Sequence, residues 1–91
     1  MKILPSALKH GITEEEIDEL VQSLEYIEIT LPQGVRGERY MLVGFIDRFS
    51  YPIEVGIEHH FDGNPPIIFH ANKAREPYLS VFKEYFHGKK K

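Results

Sequence analysis

Residues 51–71, YPIEVGIEHHFDGNPPIIFHA, decide the reading of this chain. Ile53, Val55 and Ile57 alternate with Glu54, Gly56 and Glu58, the period of a half-buried strand. Asp62-Gly63-Asn64-Pro65 is a turn by its chemistry, because aspartate and asparagine bond to nearby backbone and glycine accepts positive φ. Pro66 to Ala71 then gives a second strand. A connection this short makes the pair antiparallel.

Working outward, Arg39 to Ile46 is apolar at nearly every position and predicts a central strand covered on both faces. Ile27, Ile29 and Leu31 alternate with polar neighbours as another strand. Pro32 to Gly37 and Asp47 to Ser50 are expected turns. Ahead of the strands, Thr13 and Glu16 have capping-box spacing. Ile17, Leu20, Val21 and Leu24 then form a helical stripe over about 14–24. Leu4 to His10 reads as a shorter helix, with Pro5 at its start and Gly11 just past its end. Arg75 to His87 reads as a closing helix with Pro77 in its first turn, lined by Leu79, Phe82 and Phe86 and stopped by Gly88. The expected fold is α+β with two layers: two N-terminal helices, a four-stranded antiparallel meander and a C-terminal helix. Ninety-one residues hold one domain, expected over 1–88, followed by a basic tail at 89–91.

Composition removes several classes of function. Zero cysteines exclude a disulfide framework, cysteine-zinc sites and thiol catalysis. Charges interrupt every apolar run, so no membrane span is expected, and Met1 to His10 does not read as a signal peptide. The expected compartment is the cytoplasm. The net charge of -3 is unevenly spread. Met1 to His60 carries five Lys and Arg against eleven Asp and Glu, whereas Phe61 to Lys91 carries six against three. Indiscriminate nucleic-acid binding is disfavoured, but a local basic face stays open.

The turn over Phe61 to Pro66 is expected to set Glu58 opposite His70 and His60 opposite Ile68 on one face. Ile57 then meets Ala71, and His59 meets Phe69, on the other. That register gathers Glu54, Glu58, His60, His70 and Asn72 away from the core, with Lys73 and Arg75 just beyond the strand. Acid, imidazole and cation together suit metal-free cleavage of RNA. One group takes the 2'-hydroxyl proton, another protonates the leaving 5'-oxygen, and a cation steadies the phosphate. His70 and Glu58 are the candidates for proton transfer, with His10 as an outsider. Arg39, Lys73 and Arg75 are the candidates for holding phosphate, and Lys73 also counts among the catalytic candidates. The same residues also describe a solvated sheet face with cross-strand pairs. A zinc or non-haem iron site at Glu58, His60 and His70 lacks any HExxH-like spacing, and His59 and His60 point to opposite faces, so no metal or cofactor is expected.

Three segments carry a family resemblance: ALKHGIT (Ala7 to Thr13), GERYMLVG (Gly37 to Gly44) and IIFHANKAREPYLSVFKEY (Ile67 to Tyr85). Together they resemble the BrnT family of ribonuclease toxins. The likeness differs at His70, where serine is usual, and at Asn72, where arginine is usual. It implies a RelE-like α+β fold, endoribonuclease activity on RNA and a ribbon-helix-helix antitoxin as partner, with a homodimer left open. The alternative expectation is a non-catalytic protein-interaction domain of the same fold, docking a partner through its sheet edge or aromatic helix.

Overall fold

The chain is described by a computed structural model over residues 1–46 and 51–89, with side chains to Phe86. The turn expected at Asp47 to Ser50, and Lys90 and Lys91 of the expected tail, lie outside the described residues. In chain order the elements are β1 (Lys2–Ile3), a 3-10 turn (Pro5–Leu8), α1 (Glu14–Ser23), β2 (Ile27–Thr30), β3 (Gly37–Gly44), β4 (Ile53–His60), β5 (Ile67–Lys73) and α2 (Tyr78–Lys89).

The strands lie in the order β1-β5-β4-β3-β2. β2 to β5 are the expected antiparallel meander, but a fifth strand makes the sheet mixed, since β1 runs parallel to β5 with Lys2 beside Ile67 and Ile3 beside Ile68. Two residues are too few to show alternation. β1 is fixed instead by two backbone bonds, from Lys2 N to Pro66 O and from Leu4 N to Ile68 O, each 3.0 Å.

The second correction concerns the helices. The expected first helix is a single 3-10 turn: Pro5 sets its first φ, and Gly11 follows at φ +87°. α1 begins as expected. Thr13 Oγ1 accepts from Glu16 N at 3.1 Å, and Glu16 Oε1 accepts from Thr13 N at 2.8 Å. It buries Ile17 and Leu20 but not Leu24, which caps the helix in the left-handed region (φ +56°) and is 76% exposed. α2 starts at Tyr78, after a cis Glu76–Pro77 bond, and its backbone remains helical through Gly88 to Lys89.

The third correction is the number of layers. One apolar cluster joins α1 to Leu42, Ile53, Val55, Ile57, Ile68 and Ala71; a second joins Phe82 and Ala74 to Met41 and Val43. Met41 and Val43 alternate with Leu42 along β3, so the two clusters occupy opposite faces. α1 covers one face and α2 covers part of the other. The apolar run of β3 required cover on both sides.

The last correction is the β4–β5 register. His70 pairs with Gly56 rather than Glu58, and Glu58 pairs with Ile67. The ladder shifts between Gly56 and Ile57, where Phe69 is an extra residue, a β-bulge. The reason is in the core. Ile68 and Ala71 are both buried on the α1 face, yet they are three apart and strict alternation would oppose them. The bulge absorbs the odd residue. It also turns Phe69 and His70 toward the face carrying Gly56, against whose missing side chain both pack.

Two substitutions of opposite sign check this packing. Leu20→Ala should cost about 2–5 kcal/mol, because the side chain is fully buried under the sheet. Leu24→Gly should stabilise by about 0.5–1 kcal/mol by relieving a left-handed, exposed leucine. Urea denaturation of each variant reads both values.

Candidate functional site

β4 presents Glu54, Gly56, Glu58 and His60 to the face away from α1, at the spacing that alternation requires. Each glutamate is the centre of a separate cluster.

The first centres on Glu54, whose side chain is 0% exposed. Its Oε2 accepts from His70 Nε2 at 2.6 Å and from an Arg75 Nη at 3.0 Å, and its Oε1 accepts from the Arg75 backbone N at 2.8 Å. Burial pushes the Glu54 carboxyl up, but His70 and both Arg75 donors together outweigh it and hold the group below its ordinary range. Since a carboxylate only accepts, His70 Nε2 carries the hydrogen. The Arg75 Nη also lies 3.3 Å from Nε2. Guanidinium cannot accept and Nε2 spends its hydrogen on Glu54, so this is a contact rather than a hydrogen bond. Nδ1 has no partner among the described residues. The His70 side chain as a whole is 19% exposed. The exposed His10 ring stands edge-on to His70, with centroids 5.8 Å apart.

The second cluster centres on Glu58. Arg39 Nε donates to Oε1 at 2.7 Å across the β3–β4 pair, and His60 Nε2 approaches Oε2 at 2.9 Å. The Arg39 bond, assisted by His60, holds Glu58 below its ordinary range against the cost of burial. Gly34 makes room for the pair: a Cβ there would stand 2.7 Å from Glu58 Oε1.

Phe69 separates the two clusters. Its ring crosses Gly56, where a Cβ would meet it at 2.8 Å, and the Arg39 guanidinium lies 5.0 Å from its centroid. Glu54 and Glu58 are four residues apart on β4, about 13 Å along the strand.

The expected site residues therefore divide. His70 and Arg75 come together, and so do Glu58 and Arg39, but the two pairs are not one site. Lys73 pairs with Ile53 in the ladder and alternates to the α1 side, where it forms no ion pair among the described residues. Glu58, His60 and His70, the alternative metal trio, are split between the clusters. Among the described residues no three metal-ligating side chains converge. Sequence reasoning put Glu54 on this face without making it the centre, and it missed Phe69. The signal for both was the IIFHA spacing, which demands a bulge. No protein-family model, curated protein or solved structure matches the chain.

Two measurements test this geometry. The folded state holds Glu54 and Glu58 below the ordinary carboxylate range, so as the pH falls the unfolded chain takes up protons first. Their stabilisation should be complete above the ordinary carboxylate pKa of about 4.3 and drain away as the pH drops through the lower folded values. Glu54→Gln should cost about 2 kcal/mol at pH 7 and flatten the acid limb of a melting-temperature profile. Gly56→Ala should cost about 1–3 kcal/mol by displacing Phe69, and adding Phe69→Leu should recover part of the loss.

Proposed function

We propose that the chain is a toxin-like, metal-free endoribonuclease of a toxin–antitoxin module. The observation that carries this is the Glu54–His70–Arg75 cluster, in which the partly exposed His70 ring keeps Nδ1 without a partner among the described residues. Glu54 fixes the ring and its tautomer, which leaves Nδ1 to take the proton of an RNA 2'-hydroxyl. The 2'-oxygen then attacks phosphorus. The bond from phosphorus to the 5'-oxygen breaks, leaving a 2',3'-cyclic phosphate and a 5'-hydroxyl. His10, whose ring stands beside that of His70, supplies the proton to the 5'-oxygen. Arg75 engages Glu54 through one Nη, and its other donors serve the non-bridging phosphate oxygens. The proton-transfer role first given to Glu58 passes to His10 in this reading, Glu54 holds the His70 ring, and Arg39 with Glu58 lies one cluster further along the strand, beside Phe69.

The ribbon-helix-helix antitoxin, which comes from the resemblance to BrnT toxins, and the cytoplasmic setting, which comes from the composition, belong to the same proposal. No described helix is long and apolar enough to cross a membrane. A specific observation also favours the second reading, a non-catalytic interaction domain. Phe45, Tyr85 and Phe86 are exposed around a cavity of about 390 Å³ next to Phe82.

Expression alone in bacteria separates the two. The nuclease reading predicts growth arrest and RNA ends bearing cyclic phosphate. It also predicts that His70→Ala and Arg75→Ala, confirmed folded by circular dichroism, lower cleavage about 10²–10⁴-fold. Harmless expression with no cleavage of total RNA supports the interaction domain instead.

A further inference from the structure

A cavity of about 690 Å³ lies on the α1 side of the sheet, opposite the Glu54–His70 cluster. Its floor is apolar, formed by Ile3, Val21, Leu42 and Ile57 at the margin of the main core. Its rim is acidic. Glu14, Glu15 and Asp18 stand along α1, and Glu28 faces them from β2. All four are exposed and none forms an ion pair among the described residues; His59 and the first residue, Met1, also line the cavity, but no lysine or arginine does.

We infer that this groove is a docking site for a basic amphipathic helix of a partner protein. Charge complementarity selects the occupant. Four carboxylates around one opening repel one another and any phosphate backbone, and a ring of lysine and arginine relieves that repulsion. The apolar floor then takes the helix's other face, with anchors at i, i+3 and i+4. The dimensions agree, since Glu14 to Gln22 covers nine residues of α1, about 12 Å, room for about two turns of a helix laid alongside it. The inference does not rest on the nuclease reading, because the groove is on the other face and shares no residue with that cluster.

The probe is a fluorescein-labelled Leu/Lys peptide of about 14 residues with leucines on one helical face, ~21 Å long when helical. It is titrated with the whole protein at low salt and followed by anisotropy. The expected results are saturable binding, at least ten-fold weaker binding of a scrambled peptide of equal charge, and no binding of the Leu/Glu counterpart. Asp18→Lys with Glu28→Lys should weaken binding at least ten-fold, and the milder Asp18→Asn with Glu28→Gln should weaken it to a smaller extent, with both proteins folded by circular dichroism. Equal binding of the scrambled peptide, undiminished binding by the variants, or no binding at all would overturn the inference. So would sedimentation as a dimer that the same variants dissolve, which assigns the groove to a second copy of this chain.

Discussion

A fully buried carboxylate at Glu54 is the constraint around which the polar half of this molecule is arranged. Taking a charge out of water costs several kcal/mol unless donors replace the lost hydration. Here three do so: the His70 ring, the Arg75 guanidinium and the Arg75 backbone amide. They come from the end of β5 and the segment leading into α2, so satisfying one side chain of β4 fixes the exit of the sheet and the approach to the last helix. Ala74, between the two, bonds its amide to Pro52 O at 2.9 Å and packs into the α2 cluster. Electrostatic need and apolar packing thus converge on the same few residues.

The same arrangement explains why the site has two centres. A strand that alternated perfectly through IIFHA would set a single row of polar side chains facing β4. Burying both Ile68 and Ala71 on one side forces an extra residue into β5, and that residue is an aromatic with nowhere to go except across a glycine. Phe69 therefore lies over Gly56 between the two glutamates. Arg39 covers it from β3 and at the same time pairs with Glu58. The core decides the bulge, and the bulge decides which acid meets which imidazole.

What could be read from the sequence follows from the range of each signal. The α1 capping box and the β4 alternation depend on neighbours within a few residues, and both appear in the structure where the residues put them. The opposite facing of His59 and His60 is equally local: His59 stands edge-on to Tyr40 while His60 reaches Glu58. β1 was not legible because its partner is 65 residues away and its own two residues carry no period. Leu24 was misread because an apolar residue at i+7 fits a stripe, whereas the helix actually ends there in a left-handed turn. The site was half legible. Composition gave the face and its residue types, but the pairing of His70 with Glu54 depended on a two-residue change of register that charge patterns do not encode.

The two faces of the sheet also divide the charge of the chain. Acidic residues crowd α1 and the β2 edge, whereas the cations Arg39 and Arg75 stand on the opposite face, each tied to a glutamate. A carboxylate inside an Arg–His cluster is neutralised within the molecule; a carboxylate on the groove rim is not. That difference is why a modest net charge of -3 gives no guide to what either face attracts. Ligand preference here is set face by face: an anion must compete with Glu54 for Arg75, whereas no lysine or arginine lining the α1 groove competes with a cation for its rim.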